Sequence, residues 1–341
     1  MRNTKIRVGI VGLGIVSAAH ELGYQHTADR AEIVAVCDLD ETFARQRAEP
    51  YKARVYQDYR ELLRDPRVEA VDIILPHNLH FRVASDAIQQ GKHVIVEKPL
   101  ALTSGQAMEL CATARAKSIK FTVAENTRFV AAYVEAEKLL RAGTLGDLRQ
   151  IRTSISGSEV YRLRVAANWK GRKEGSGGGA IVDAGPHSFY LLKWLVGEIQ
   201  DLQAFQARLV DESEVEDNAV VVGHLKNGGI FETEFSFTVE APWNERVEIY
   251  GSEASLIVDQ LCDPPARLFR GGKDYQGTAL PNVPYDPVDW KRRSITAGVV
   301  DFVQAIWDDR PPTVDPNDGC YVMQVVEKAY ESVALGNLVR V

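Results

Sequence analysis

Two short segments of this 341-residue chain carry side chains suited to acid–base chemistry. The first is Gly91-Lys92-His93-Val94-Ile95-Val96-Glu97-Lys98-Pro99, an apolar run that ends on a lysine. If the run is a strand of a parallel sheet, Lys98 stands at its carboxyl end, the edge where such sheets bind ligands. Pro99 restricts the backbone of Lys98 and helps aim its amine. The plain alternative is a surface lysine at a strand end. The second segment is Gly177-Gly178-Gly179-Ala180-Ile181-Val182-Asp183-Ala184-Gly185-Pro186-His187. Pro186 suits the first turn of a helix running to Val196, with Gly197 after its end. The helix dipole disfavours imidazolium at His187, leaving it a neutral base near pH 7. Asp183 lies just upstream and can reach the same space. Such a pair suits the movement of a hydroxyl proton; an N-capping aspartate and a structural histidine are the alternative.

A third segment suits an anion. Ile6–Val11 reads as a strand and enters Gly12-Leu13-Gly14-Ile15-Val16-Ser17, after which a helical pattern begins. The two glycines permit a tight turn and close approach of backbone to a pyrophosphate. The amides and dipole of the following helix favour the anion. Ser17 replaces the third glycine of the dinucleotide fingerprint and is small enough to keep helix and strand close. The turn alone says little; the strand before it, the helix after it and Asp38 ending the second strand give it weight. A carboxylate at Asp38 can accept hydrogen bonds from the adenosine ribose and repels a 2′-phosphate. Leu39 and Asp40 follow with no adjacent arginine, so NAD is expected over NADP. A βα turn with a solvated aspartate is the alternative.

The elements that must position these groups follow from periodicity. Ile6–Val11, Ile33–Cys37, Val71–Leu75, Val94–Val96 and Phe121–Ala124 are Val/Ile-rich runs without clean alternation, as in strands buried on both faces. Helix-length segments lie between them: Arg82–Gln90 ends at Gly91, and Thr103 with Gln106 reads as a capping box for a helix to about Lys117. Alternation of strand and helix implies a doubly wound α/β sheet. Beyond residue 124 the texture changes. Asn126–Ala142 is helical in pattern. In Ile230–Phe237, Phe231, Thr233, Phe235 and Phe237 share one face, and Glu232, Glu234 and Ser236 the other. Asn227–Gly228 precedes it as a hairpin turn, and Gln150–Ser156 and Arg246–Tyr250 alternate likewise. Proline and glycine punctuate an irregular excursion from Pro264 to Pro287, before helical patterns at Ser294–Trp307 and Asn317–Leu335. The expected division is 1–123, a nucleotide-binding domain, and 124–341, an α+β domain with a largely antiparallel sheet for substrate binding and oligomerisation.

The totals exclude several classes. A 45% hydrophobic, 26% charged composition is that of a globular protein. A net charge of −7 argues against nucleic acid as a partner. No apolar run is long enough to cross a membrane, and Met1–Val8 leads directly into a strand pattern with no export signal. Cys37, Cys111, Cys262 and Cys320 form no CxxC pair, so neither a metal site nor a disulfide framework is expected, and a cytoplasmic location follows. Tyr161–Glu174 sets Arg162, Arg164, Lys170, Arg172 and Lys173 against Glu174 alone. This suits a sugar acid, a solvated loop or a subunit contact.

The chain resembles the glucose–fructose oxidoreductase/inositol dehydrogenase/rhizopine-catabolism (Gfo/Idh/MocA) family over nearly its whole length. The resemblance rests on the Gly12/Gly14 turn, Leu75-Pro76-His77-Asn78-Leu79-His80, Gly91-Lys92-His93 through Glu97-Lys98-Pro99-Leu100, Arg128-Phe129, Gly177–Gly179 through Asp183-Ala184-Gly185-Pro186-His187, and Tyr250-Gly251-Ser252-Glu253. It implies an N-terminal Rossmann sheet and a C-terminal α+β domain. It further implies that Lys98, Asp183 and His187 form the catalytic group. By the same resemblance Gly12, Gly14, Ile15, Val16, Asp38, Leu39, Leu75, Pro76, Asn78, His80, Glu97, Lys98, Asn126, Trp169 and Lys170 border the cofactor. Arg128 and Trp169 would join the catalytic group around the substrate. The chain departs from the family pattern at Lys170 (often Arg), Tyr190 (often Asp) and Ala131 (often Pro), which leaves inherited specificity open.

The expected activity is NAD(H)-dependent hydride transfer at a hydroxyl or keto carbon of a sugar, cyclitol, sugar acid or related polyol. Two rival readings use the same fold. One is an NAD-dependent hydrolase or lyase that oxidises its substrate transiently. The other is a non-catalytic regulator sensing dinucleotide or sugar, which would be expected to lack Lys98, Asp183 and His187. Assembly as a homodimer or homotetramer, through the polar face of the antiparallel sheet, is implied by resemblance only.

Overall fold

The computed structural model describes residues 4–341; Met1–Asn3, where the domain read as 1–123 begins, lie outside the described residues. Contacts divide the chain into two compact units. One runs to Asn126 and adds Arg292–Tyr321; the other is Thr127–Lys291 with Val322–Val341.

The first unit holds a six-stranded parallel sheet of β1 (Ile6–Val11), β2 (Ala31–Cys37), β3 (Arg54–Tyr56), β4 (Ala70–Ile73), β5 (His93–Val96) and β6 (Phe121–Val123), in the order β3-β2-β1-β4-β5-β6. The order reverses between β1 and β4, a switch point of the kind that opens a ligand crevice at the strands' carboxyl ends. Helices α1 (Ser17–His26), α2 (Glu41–Ala48), α3 (Tyr59–Arg64), α4 (His77–Gln89) and α5 (Ser104–Ala116) connect the strands. Thr103 caps α5 by accepting the Gln106 amide at 3.2 Å, as the sequence pattern implies. Helix α4 begins at His77, five residues before the expected start at Arg82, so part of the Leu75–His80 motif is helix rather than loop.

Sequence reading placed Arg292–Tyr321 in the C-terminal domain, whereas its contacts assign it to the first unit. Packing explains the difference. Val299, Phe302, Val303 and Ile306 are buried in one cluster with Ile6, Val8, Ile10, Tyr24 and Ile33. The Thr296 hydroxyl also donates to the Ala19 carbonyl of α1 at 3.0 Å. Cys111 and Cys320, 209 positions apart and so unpaired by sequence spacing, place their Sγ atoms 3.2 Å from each other as free thiols.

The second unit is built on a nine-stranded mixed sheet of β7 (Leu148–Ser156), β8 (Ile199–Ala207), β9 (Asn218–Leu225), β10 (Ile230–Ser236), β11 (Asn244–Gly251), β12 (Ser255–Asp259), β13 (Ala266–Phe269), β14 (Thr278–Ala279) and β15 (Val339–Arg340). Its strands run antiparallel except where β10 pairs in parallel with β7. Alternation sets the faces. Ile151, Thr153, Ile155, Phe231, Thr233, Phe235, Val247 and Ile249 are buried. On the other face Arg152 is opposite both Glu232 and Glu248. Helices α6 (Ala131–Arg141), α7 (Val160–Leu163), α8 (Lys173–Ser176), α9 (Ala180–Asp183) and α10 (Gly185–Val196) complete this unit's layers. The helix expected over 126–142 is broken: Asn126–Phe129 forms a 3-10 turn and α6 starts at Ala131. Helices α11 (Trp290–Trp307) and α12 (Pro316–Leu335) close the chain. Among the described residues no helix is long and apolar enough to cross a membrane.

Candidate functional site

In the first unit the glycine turn is held from two sides. The Gly12 amide donates to Cys37 O at 2.9 Å, and the Leu13 amide to Asp38 Oδ2 at 2.9 Å. The second Asp38 oxygen accepts the Asp40 amide at 3.1 Å. Asp38 therefore ties the tip of β2 to the turn while standing beside it. Gly12 has φ +90°, and a Cβ there would sit 2.1 Å from Ile74 O, so only glycine fits. A Cβ at Gly14 would meet nothing within 4 Å. The turn thus combines a rigid root with open space before the first amides of α1. That is a shape into which a pyrophosphate fits, and where those amides and the helix dipole favour an anion. Ile15 and Leu39 are 80% and 88% exposed beside it, apolar surface suited to covering a flat ring. Ser17 is fully buried under the turn, as its size requires.

The strand-end motifs lie in the same unit. Leu75 and Pro76 are half-buried, and Asn78 is exposed. His80 is buried with Nδ1 2.7 Å from Pro99 O and Nε2 2.8 Å from Leu75 O. Burial, outweighing these two carbonyls, lowers its pKa below the ordinary histidine value. His80 therefore fastens the Leu75 loop to the segment after Lys98. The Lys98–Pro99 peptide is cis. Lys98 is half-buried, and its amide donates to Glu97 Oε2 at 3.1 Å. Asn126 is buried and donates to Ser294 Oγ at 2.8 Å.

Sequence reasoning missed what lies behind Glu97. His20, on the inner face of α1, places Nε2 3.0 Å from Glu97 Oε1. Its Nδ1 is 2.9 and 3.1 Å from the two oxygens of Asp72 on β4. Tyr24 donates to Asp72 at 2.9 Å. The available signal was polarity out of place: Asp72 interrupts an apolar strand, and His20 and Tyr24, one turn apart, share the helix face that carries Ser17.

In the second unit, Asp183 ends α9 and His187 occupies the first turn of α10, with Pro186 in that turn as expected. Both are buried. Lys170 Nζ contacts Asp183 Oδ2 at 2.6 Å and lies 5.7 Å from the Trp169 ring centre. Thr127 Oγ1 is 3.5 Å from His187 Nδ1. Arg128 stacks at 4.1 Å over Trp194, and the Tyr190 and Trp194 rings are 6.3 Å apart. The structure thus gathers Asp183 with Lys170 and Trp169, and sets Arg128 and Tyr190 each beside Trp194. Lys98 and Asn126 belong to the other unit.

The root of this group is Glu216, a buried carboxylate that sequence reading passed over. It accepts the amides of Gly179 and Ile181 at 3.0 Å each and the Tyr330 hydroxyl at 2.8 Å, fixing the start of α9. Burial raises its pKa despite these donors. A Cβ on Gly179 would sit 1.6 Å from Glu216 O, which accounts for a glycine there. Glu245 is a second buried carboxylate, bonded by Lys291 Nζ at 2.7 Å and Trp243 Nε1 at 3.1 Å. Burial would raise its pKa, but the charges of Lys291 and His187 and these bonds bring it to about 2. The basic run at 161–174 is largely compensated: Arg162 pairs with Glu159 at 2.8 Å, Arg172 with Glu214 at 3.3 Å and Arg164 with Glu212 at 3.8 Å. Among the described residues no cluster of metal-ligating side chains occurs.

Comparison with known proteins identifies the family and the fold. Residues 6–125 match a family profile described as an oxidoreductase family with an NAD-binding Rossmann fold, and residues 133–257 match the GFO/IDH/MocA C-terminal domain. An uncharacterized oxidoreductase of Synechocystis sp. is 29% identical, the match covering 97% of this chain and 95% of that one. The myo-inositol 2-dehydrogenase of Thermotoga maritima is 24% identical over 92% of each chain. A levoglucosan dehydrogenase, solved with NADH and levoglucosan, shares the fold at a TM-score of 0.88, with 22% identity and coverage of 99% of this chain and 100% of that one.

Proposed function

The chain belongs to the GFO/IDH/MocA family of oxidoreductases, and from that premise we propose that it is an NAD(H)-dependent dehydrogenase acting on a CH–OH carbon of a sugar, cyclitol, sugar acid or related polyol. The observation that carries this reading is the glycine turn: Gly12 locked against Ile74, open space at Gly14, and the Asp38 carboxylate beside it. NAD is preferred over NADP because a 2′-phosphate would meet that carboxylate.

When bound, the nicotinamide supplies the hydride acceptor or donor. The chain supplies the rest. Lys98 donates a hydrogen bond to the substrate oxygen as negative charge develops there. His187 takes the hydroxyl proton, or returns it in the reverse direction. Asp183, held by Lys170, orients the substrate hydroxyls. Gly12, Gly14, Ile15, Val16, Asp38, Leu39, Leu75, Pro76, Asn78, His80, Glu97 and Asn126 border the dinucleotide, with Trp169 and Lys170 at its nicotinamide end. Arg128 and Trp169 line the substrate. In this reading the first unit, residues 1–126 with 292–321, binds the cofactor, the second unit binds substrate and mediates assembly as a homodimer or homotetramer, and the enzyme works in the cytoplasm.

The test is to mix the protein with NAD or NADP and a panel of polyols, inositols, neutral sugars and uronates, and follow reduced-nicotinamide absorbance. Turnover with NAD on at least one neutral or acidic polyol is expected. Binding of NADH with no turnover across the panel would refute the dehydrogenase reading; a preference for NADP would refute the role given to Asp38.

A further inference from the structure

His20 has carboxylates on both ring nitrogens: Asp72 at 2.9 and 3.1 Å from Nδ1 and Glu97 at 3.0 Å from Nε2. A neutral imidazole has one N–H, so one nitrogen lone pair would face a carboxylate across a hydrogen-bond distance. Only the imidazolium donates to both. His20 and Asp72 are fully buried, which sharpens the requirement, since charges there survive only when paired and hydrogen-bonded. The chain of bonds is directional. Tyr24 donates to Asp72 and the Lys98 amide to the second Glu97 oxygen, while His20, if an imidazolium, donates to Asp72 and to the first Glu97 oxygen. Both Glu97 oxygens are thereby committed. The groups acting on the imidazole are Asp72 on β4 and Glu97 after β5; Tyr24 on α1 bonds Asp72, and Lys98 and His80 act electrostatically on Glu97.

We propose that His20 is a positioning residue, a buried imidazolium that clamps Glu97 and through it fixes the backbone and charge environment of Lys98. The proposal rests on the reading of Lys98 as a group that touches the substrate. It goes beyond that reading by assigning the precision of the lysine to a histidine on the first helix of the dinucleotide domain, far from the strand tip in sequence. The electrostatics agree: burial would lower the His20 pKa, but Asp72 and Glu97 outweigh it and bring it to about 10. Glu97, which burial would raise, is held below its ordinary value by the His20 bond and charge and by Lys98.

Two measurements test it. In the unaltered protein with ¹⁵N-histidine, the His20 ring is expected to show two protonated nitrogens at pH 8; a neutral tautomer there would overturn the proposal without any variant having to fold. His20→Gln keeps a donor but removes the charge. It is expected to retain NADH affinity within about threefold, lower kcat at least about tenfold, and displace the pH profile of kcat. Tyr24→Phe, which removes only the outermost bond, should act in the same sense more weakly. Wild-type kcat and pH profile in His20→Gln would sink the proposal while leaving the family reading intact. Wild-type turnover in Lys98→Met would instead sink the reading on which it rests.

Discussion

Gly12 and Gly14 lie two positions apart in one turn, and the structure gives them different tasks. At Gly12, alanine would adopt φ +90° and set its methyl 2.1 Å from Ile74 O, 2.8 Å from Ile74 C and 3.0 Å from a Leu75 methyl. The left-handed backbone costs an L-residue about 1–2 kcal/mol, and forced overpacking adds about 1–3 kcal/mol. The first two contacts are backbone, so the neighbour cannot swing aside. A loss of about 3 kcal/mol corresponds to roughly 6–12 °C in Tm for a domain of this size. At Gly14 the added methyl meets nothing within 4 Å, and stability should stay within about 0.5 kcal/mol. That same space is where the pyrophosphate is proposed to lie, so Gly14→Ala should weaken NADH binding at least tenfold, about 1.4 kcal/mol. Thermal melts by circular dichroism and NADH fluorescence titrations separate the effects. Wild-type NADH affinity in Gly14→Ala would refute the placement of the cofactor. A wild-type melt in Gly12→Ala would refute the account of the turn's root.

Three further outcomes are expected. Lys98→Met and His187→Ala should each lose at least about two orders of magnitude in kcat while titrating NADH normally; near-normal turnover in either would remove that residue from the chemistry. Asp38→Ala should narrow the ratio of kcat/KM with NAD to that with NADP, because the carboxylate facing the 2′-position is gone; an unchanged ratio would move the selectivity elsewhere. Glu245, with its pKa depressed to about 2, should contribute stability fully above its unfolded value near 4.5 and lose it as pH falls toward 2. The depression corresponds to roughly 3 kcal/mol by linkage. Urea melts of wild type and Glu245→Gln should therefore differ most near pH 7, draw closer as pH falls below about 4.5 and converge only at about pH 2 or below; a constant gap would show that the carboxylate's charge is not what stabilises.

The fold was legible where the chain repeats one rule. Val- and Ile-rich runs separated by helical patterns gave the parallel sheet, and Phe231, Thr233 and Phe235 against Glu232 and Glu234 gave the half-buried one. What failed was anything that depends on return in space. Helix α11 has an apolar face that suits any sheet; only Val299 and Phe302 among β1 and β2 side chains reveal which one it covers. The short β3 carries too few residues for a periodic signal. The candidate site divided similarly. Lys98, Asp183, His187 and the glycine turn announce themselves by residue type beside a strand end or helix start. His20, Glu216 and Glu245 do not, because each acts from within the core, and a buried acid or imidazole is recognised by its partners rather than by its neighbours in sequence.

The return of residues 292–321 to the first unit also governs how the protein can be made. Synthesis delivers the dinucleotide-binding strands early, yet Val299, Phe302, Val303 and Ile306, which pack with Ile6, Ile10 and Ile33, emerge only after Thr127–Lys291 of the second unit has been translated. Until then the nascent sheet exposes an oily flank, the kind of surface chaperones hold and aggregates recruit. An expression fragment cut near residue 126 would carry that exposed flank permanently. A miniature cofactor-binding module from this chain therefore requires the late helix spliced back on, and a simple truncation would not yield one.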